Sequence, residues 1–163
     1  MTRVRSAFTL VEAVATTVVL SVIAAITLPV INASTDSYAA AATASRVVDE
    51  TCYAMDRIVR LLREAPLGPT VATLDIASMT SDSVRFADGR GIELSGDTLL
   101  VRFEDGATAP ICRGVQEFEL RSIRSDGTDA GADPMEAQRF EVRLKAGGLE
   151  VRSVAFARAR YGT

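Results

Sequence analysis

Between Phe8 and Ile31 the chain carries 24 residues of which only Glu12 is ionisable. As a helix rising about 1.5 Å per residue this stretch is roughly 36 Å long, and a bilayer core is about 30 Å thick. A run of this kind admits few fates, because a small domain has too little core to bury it all round. Arg3 and Arg5 lie just before it, and the positive-inside tendency then keeps the N-terminus cytoplasmic and the remainder extracytoplasmic. A cleaved secretory signal ending at Ile31-Asn32-Ala33 is the alternative, but such signals have apolar regions of about 7 to 15 residues. A carboxylate in hydrocarbon costs something like 2.5 to 3.5 kcal/mol at mid-bilayer and less near an interface, so Glu12 asks for a partner.

The rest of the chain narrows the chemistry. The 163 residues leave room for one compact domain beside an anchor. With no His and no Trp, the commonest general base and metal ligand are missing, and no Ser or Cys has a recognisable base, which argues against an enzyme. Gly89-Arg90-Gly91 is no phosphate loop, since a strand follows it. The two cysteines, Cys52 and Cys112, lack the C-x-x-C spacing of zinc or redox sites. Acidic residues dominate Asp36 to Gln138, whereas Arg139, Arg143, Lys145, Arg152, Arg158 and Arg160 make the C-terminus basic. Only Phe140, Phe156 and Tyr161 are near enough to stack on bases, so that patch reads as a solvated sheet face and not as a nucleic-acid site.

Ser6-Ala7-Phe8-Thr9-Leu10-Val11-Glu12, behind a short basic leader and ahead of the apolar run, resembles the class III signal of type IV prepilins and type II secretion pseudopilins. The resemblance implies a leader of residues 1–7, removed by the prepilin peptidase between Ala7 and Phe8, and N-methylation of Phe8. Ala7 stands where the family normally has Gly. Glu12 would pair with the terminal amine of a neighbouring subunit during assembly, and Pro29 would supply the bend many pilins carry in the helix. The implied partners are other pilins or pseudopilins and an inner-membrane assembly platform. The implied location is the inner membrane, crossed once at residues 8–31, with a periplasmic C-terminal domain.

Residues 32–65 contain no Gly or Pro, and Pro66-Leu67-Gly68-Pro69 is a strong helix stop. The helix is therefore expected to continue outside the membrane as far as residue 65. Val48, Cys52, Met55, Val59 and Leu62, with Ile58 beside them, recur at steps of three or four and predict a face packed on the protein's own sheet. The Ala-rich Tyr38 to Ala44 suits close helix approach between subunits.

Across residues 66–163 the pattern switches to period two, predicting an antiparallel sheet domain and an α+β fold, the pilin-like arrangement of a long helix on a sheet. A three-residue loop Asp88-Gly89-Arg90 would set Phe86 against Ile92, Val84 against Leu94 and Arg85 against Glu93. A turn at Gly96-Asp97 pairs Leu94 with Leu99 and Ile92 with Val101. A turn at Gly147-Gly148 pairs Leu144 with Val151 and Lys145 with Glu150, leaving Arg143 beside Arg152. Val115 to Ile123 forms another strand with Phe118 and Leu120 inward.

Two further features invite chemistry. Asp126, Asp129 and Asp133 sit among glycines in Ser125 to Ala137, an oxygen-rich loop of the kind that can hold Ca²⁺, though without EF-hand spacing. A Cys52–Cys112 disulfide would close a loop of about 60 residues and contribute roughly 4 kcal/mol in the chain-entropy model; two unbonded thiols are the alternative. The motifs around Met55 to Ala65 and Cys112 to Phe118 resemble J-type minor pseudopilins and PilW-like minor pilins. The expected function is thus a minor pseudopilin of a type II secretion pseudopilus. A minor pilin of a type IV pilus and a non-polymerising bitopic binding protein are the alternatives.

Overall fold

The computed structural model describes residues 9–68, 73–131 and 136–157. It shows an α+β fold: one long N-terminal helix, α1 (Leu10–Arg63), and then antiparallel strands. In chain order these are β1 (Ile76–Met79), β2 (Ser83–Phe86), β3 (Gly91–Ser95), β4 (Thr98–Arg102), β5 (Thr108–Cys112), β6 (Val115–Ile123), β7 (Arg139–Ala146) and β8 (Leu149–Phe156). The chain forms two compact units, residues 1–43 and 44–163, which are described in turn.

In the first unit, α1 starts where Thr9 caps it: the Glu12 amide donates to Thr9 Oγ1 at 3.3 Å and the Ala13 amide to the Thr9 carbonyl at 3.1 Å. Thr9-Leu10-Val11-Glu12 has the S/T-x-x-E spacing of a capping box. The helix assignment runs through Pro29 without a break. Proline has no N–H, so the Ala25 carbonyl loses its donor there.

In the second unit, the last turns of α1 bury Thr51, Ala54, Met55, Ile58, Val59, Leu61 and Leu62. This face is rotated from the expected stripe, for Val48 and Cys52 are both exposed. Thr51 takes the inward position because its hydroxyl is already satisfied by the Val47 carbonyl at 2.7 Å, so the side chain enters the core with no orphaned donor. Ala54 brings a small, fully buried side chain to the same face. After Arg63 the Arg90 guanidinium donates to the Glu64 carbonyl at 3.1 Å, satisfying one of the free carbonyls of the helix end.

The strands divide into a five-stranded sheet, β1-β2-β3-β4-β5, and a three-stranded sheet, β6-β7-β8, rather than one continuous sheet. The Val115 amide donates to the Asp97 carbonyl at 2.8 Å and the Leu120 amide to Ser81 at 2.7 Å, fastening β6 to two turns of the larger sheet. Both sheets and the end of α1 share one core, in which Ile58, Leu62, Phe86, Leu99, Phe140 and Leu144 are among the fully buried side chains. Each such side chain contributes about 1.5–3 kcal/mol by leaving water.

The β3–β4 and β7–β8 registers are those expected, with Leu94 opposite Leu99, Ile92 opposite Val101, Leu144 opposite Val151 and Arg143 opposite Arg152. Lys145 does lie opposite Glu150, but the carboxylate turns instead to Arg143 at 2.8 Å and Arg152 at 2.7 Å, relieving the like-charge pair. The β2–β3 hairpin corrects the expectation. Val84 faces Ile92, and Arg85 faces Gly91 rather than Glu93. The loop still has three residues but begins one earlier, at Ala87-Asp88-Gly89, closed by Phe86 N–H to the Arg90 carbonyl at 2.8 Å. Gly89 has φ 88, and a loop of this type wants a left-handed residue at its end. The slip is two residues, so every side chain keeps its face; Glu93, released from Arg85, pairs with Arg102 at 3.0 Å.

Candidate functional site: an uncovered apolar helix segment

Every described residue from Thr9 to Arg46 is exposed, including large aliphatic side chains such as Leu10 at 84% and Ile26 at 64%. Covering the Val, Leu and Ile side chains of Leu10 to Ile31 would be worth on the order of 10 kcal/mol or more, and water-soluble surfaces rarely leave so large an apolar patch open. α1 is long and apolar enough to cross a membrane, which makes it a candidate span of a single-pass protein.

The polar residues of this stretch are prepared for an apolar solvent. Thr16 donates to the Glu12 carbonyl at 2.6 Å, Thr17 to Ala13 at 2.9 Å, Ser21 to Thr17 at 2.8 Å and Thr27 to Ile23 at 2.9 Å. Ser34, Thr35, Ser37 and Thr43 continue the pattern of bonding four residues back. A hydroxyl so bonded carries little polarity into lipid or a helix interface. Glu12 is the exception: among the described residues its carboxylate has no hydrogen bond or ion pair, and it stands in the first turn of α1. A carboxylate there favours the helix dipole and is one turn from whatever lies before Thr9. Ala7 and Phe8, the expected cleavage and methylation positions, lie outside the described residues.

The other sequence-derived positions are not gathered into a site. Cys52 and Cys112 are both free, Cys52 exposed and Cys112 buried, so the bridge between them is not made here. The rotation of the helix face accounts for this by turning Cys52 outward. Burial pushes the Cys112 thiol up, and the nearby Glu50 carboxylate adds to the effect. Glu50 accepts the Arg113 amide at 2.9 Å, tying α1 to the β5–β6 corner, a link that sequence spacing gives no sign of.

In the acidic loop, Asp126 accepts the Thr128 hydroxyl at 2.7 Å and amide at 2.9 Å. Asp129 accepts the Gly131 amide at 2.9 Å and pairs with Arg121 at 3.1 Å. These bonds hold both carboxyls below the usual carboxylate range, led by the Thr128 hydroxyl for Asp126 and the Gly131 amide for Asp129. Asp133 lies outside the described residues, and among those described no three potential metal ligands come together.

The C-terminal basic residues on β7 and β8 are mostly spent on neighbours: Arg139 on Glu141 at 3.5 Å, Arg143 on Glu117 at 3.0 Å and on Glu150, Arg152 on Glu150. Arg158, Arg160 and Tyr161 lie outside the described residues. A hollow of about 540 Å³ opens against β6–β8, lined among others by Glu119, Arg121, Glu141, Arg143 and Arg152. Its acids and bases alternate, which offers no concentrated field of either sign.

No protein-family model matches the chain, and no curated protein matches it.

Proposed function

We propose that this protein is a type IV pilin-like filament subunit, a minor pseudopilin of a type II secretion system that helps start the pseudopilus and thereby supports protein secretion. The observation that carries the reading is Glu12, a carboxylate with no partner among the described residues, in the first turn of a helix whose N-terminal stretch, Thr9 to Arg46, is exposed throughout. Lipid alone serves the aliphatic side chains but penalises the carboxylate. A filament of such helices serves both, since a neighbouring subunit brings apolar contact and an amine. The prepilin-like motif across residues 6–12 and the fold support it: a helix that buries one face on an antiparallel domain and leaves its N-terminal stretch bare.

In this reading Arg3 and Arg5 hold the leader in the cytoplasm, the peptidase cuts before Phe8, and the domain beyond the span faces the periplasm. The partners are other pseudopilins and the inner-membrane assembly platform. Intact mass of the mature protein is the test: it should begin at Phe8 and carry one added methyl group. A chain retaining residues 1–7, or starting near Ser34, would overturn the reading. Glu12→Ala should remain in the membrane yet lose co-assembly with the major subunits; unchanged co-assembly would count against a filament role.

A further inference from the structure

The strand edges of the second unit are not treated alike. β1 is four residues long and bulged between Ile76 and Ser78. β5 contains Pro110 and a register shift opposite Leu99–Leu100. The outer side of β6 is tied down by the bonds from Val115 and Leu120 to the turns of the larger sheet. Shortness, bulges, proline and coverage are the usual means of blocking edge-to-edge pairing. Among the described residues, β8 from Leu149 to Ala155 shows none of them: the strand is eight residues long, lacks proline, pairs with β7 at every position without a shift, and is the outer strand of its sheet.

We propose that β8 pairs antiparallel with β8 of a second copy of this chain, with Val151 facing Val151 across a two-fold axis and Glu150 of each strand opposite Arg152 of the other. The register follows from parity and charge. Outward-pointing backbone groups on an antiparallel edge recur at every second residue, so only registers that match like parity can form the ladder. Centring the pairing on Arg152 would set the two arginines face to face, and centring it on Ser153 would put Glu150 against Phe156 and Arg152 against Val154. Centring on Val151 sets two opposite-charge pairs on the exposed face and brings the half-buried Val151 side chains together on the inner one. Arg152 is free to make the exchange: its side chain is 70% exposed, and its present bond to Glu150 lies within its own strand. Glu150 keeps Arg143 throughout, at 2.8 Å. The joined sheets would run β6-β7-β8 and on through the second copy across residues 149–153 of each strand.

This inference is independent of the filament reading, because it concerns the second unit alone. The test uses the full-length protein in detergent micelles, with self-association followed by light scattering. Arg152→Glu and Glu150→Arg should each weaken the dimer by about tenfold or more. An equimolar mixture of the two variants should restore it, since each then meets its opposite charge. Separately, Val151→Cys in a Cys52→Ser background should give a dimer crosslinked through position 151 on mild oxidation, and this variant leaves the charges intact should either charge variant misfold. A monomeric parent protein, a dimer indifferent to both charge changes, or no crosslink at 151 would overturn the proposal.

Discussion

The two ends of α1 are built from the same local rules yet meet opposite surroundings. Thr17 and Thr51 both bond their hydroxyls to the carbonyl four residues back, at 2.9 and 2.7 Å. Thr17 is exposed among exposed aliphatic residues, whereas Thr51 is wholly buried in the core. The more apolar end is thus the uncovered one. Hydrophobicity on its own therefore does not say what a segment packs against; the less apolar end is buried because its face is one-sided and matches two sheets. The more apolar end is greasy all round, and a small domain offers no such environment.

The comparison is tested most strongly by truncation. Leu62→Ala should destabilise the second unit by about 2–5 kcal/mol in chemical denaturation, while Val22→Ala should leave that transition within about 0.5 kcal/mol of the parent. An equal response would mean that Val22 is covered by the same core. Leu20→Arg should leave denaturation of the second unit alone but raise the cost of membrane insertion by about 2.5–3.5 kcal/mol, read as a fall in the membrane-bound fraction; an unchanged fraction would break the contrast from the other side.

Gly147 tests how closely α1 lies to the smaller sheet within the second unit. It has φ 55, and an added Cβ would run into the Val47 side chain, so Gly147→Ala should cost about 1–3 kcal/mol. Thr51→Val and Thr17→Val sharpen the comparison of hydroxyls. The first should change unfolding by less than about 1 kcal/mol, since shape is kept and the carbonyl retains its helical bond, and the second should not change it measurably.

The smallest effect concerns acid. Asp126 and Asp129 are held below the ordinary value of 3.8 by hydrogen bonds to the charged form. Their contribution is present above that value and is lost as pH falls through the lowered folded values. The unfolding midpoint should therefore decline below about pH 4, and Asp129→Asn should flatten that decline. A midpoint indifferent to pH in this range would show that the loop bonds are not formed in solution.

Much of this is legible in the sequence, for local reasons. The two-residue turns at Gly96-Asp97 and Gly147-Gly148 set their hairpin registers because turn geometry and a period of two leave one solution. The β2–β3 loop lies one residue from its expected place because Gly89 serves either loop, and the left-handed position decides between them. β1 and β5 carry no strand signal in the sequence: Ile76–Met79 is short, and Thr108–Cys112 contains a proline that only an edge accepts. In α1 the apolar stripe favours Cys52 over Thr51 because hydropathy ranks sulfur above a hydroxyl and does not see the hydroxyl bonded to its own helix. The Thr9 cap is legible from the S/T-x-x-E spacing alone, though among the described residues only the threonine half of the box is made.

What the residues decide by themselves is whatever depends on neighbours in the chain: a span-length apolar helix, its cap and its stop at Pro66, two tight turns, and the face each strand presents. The division into two sheets, the rotation of α1 that turns Cys52 outward, the link from Glu50 to Arg113 and the edge at β8, undefended among the described residues, belong to tertiary structure. Each depends on groups far apart in sequence, brought together only by a shared core whose packing no local pattern encodes.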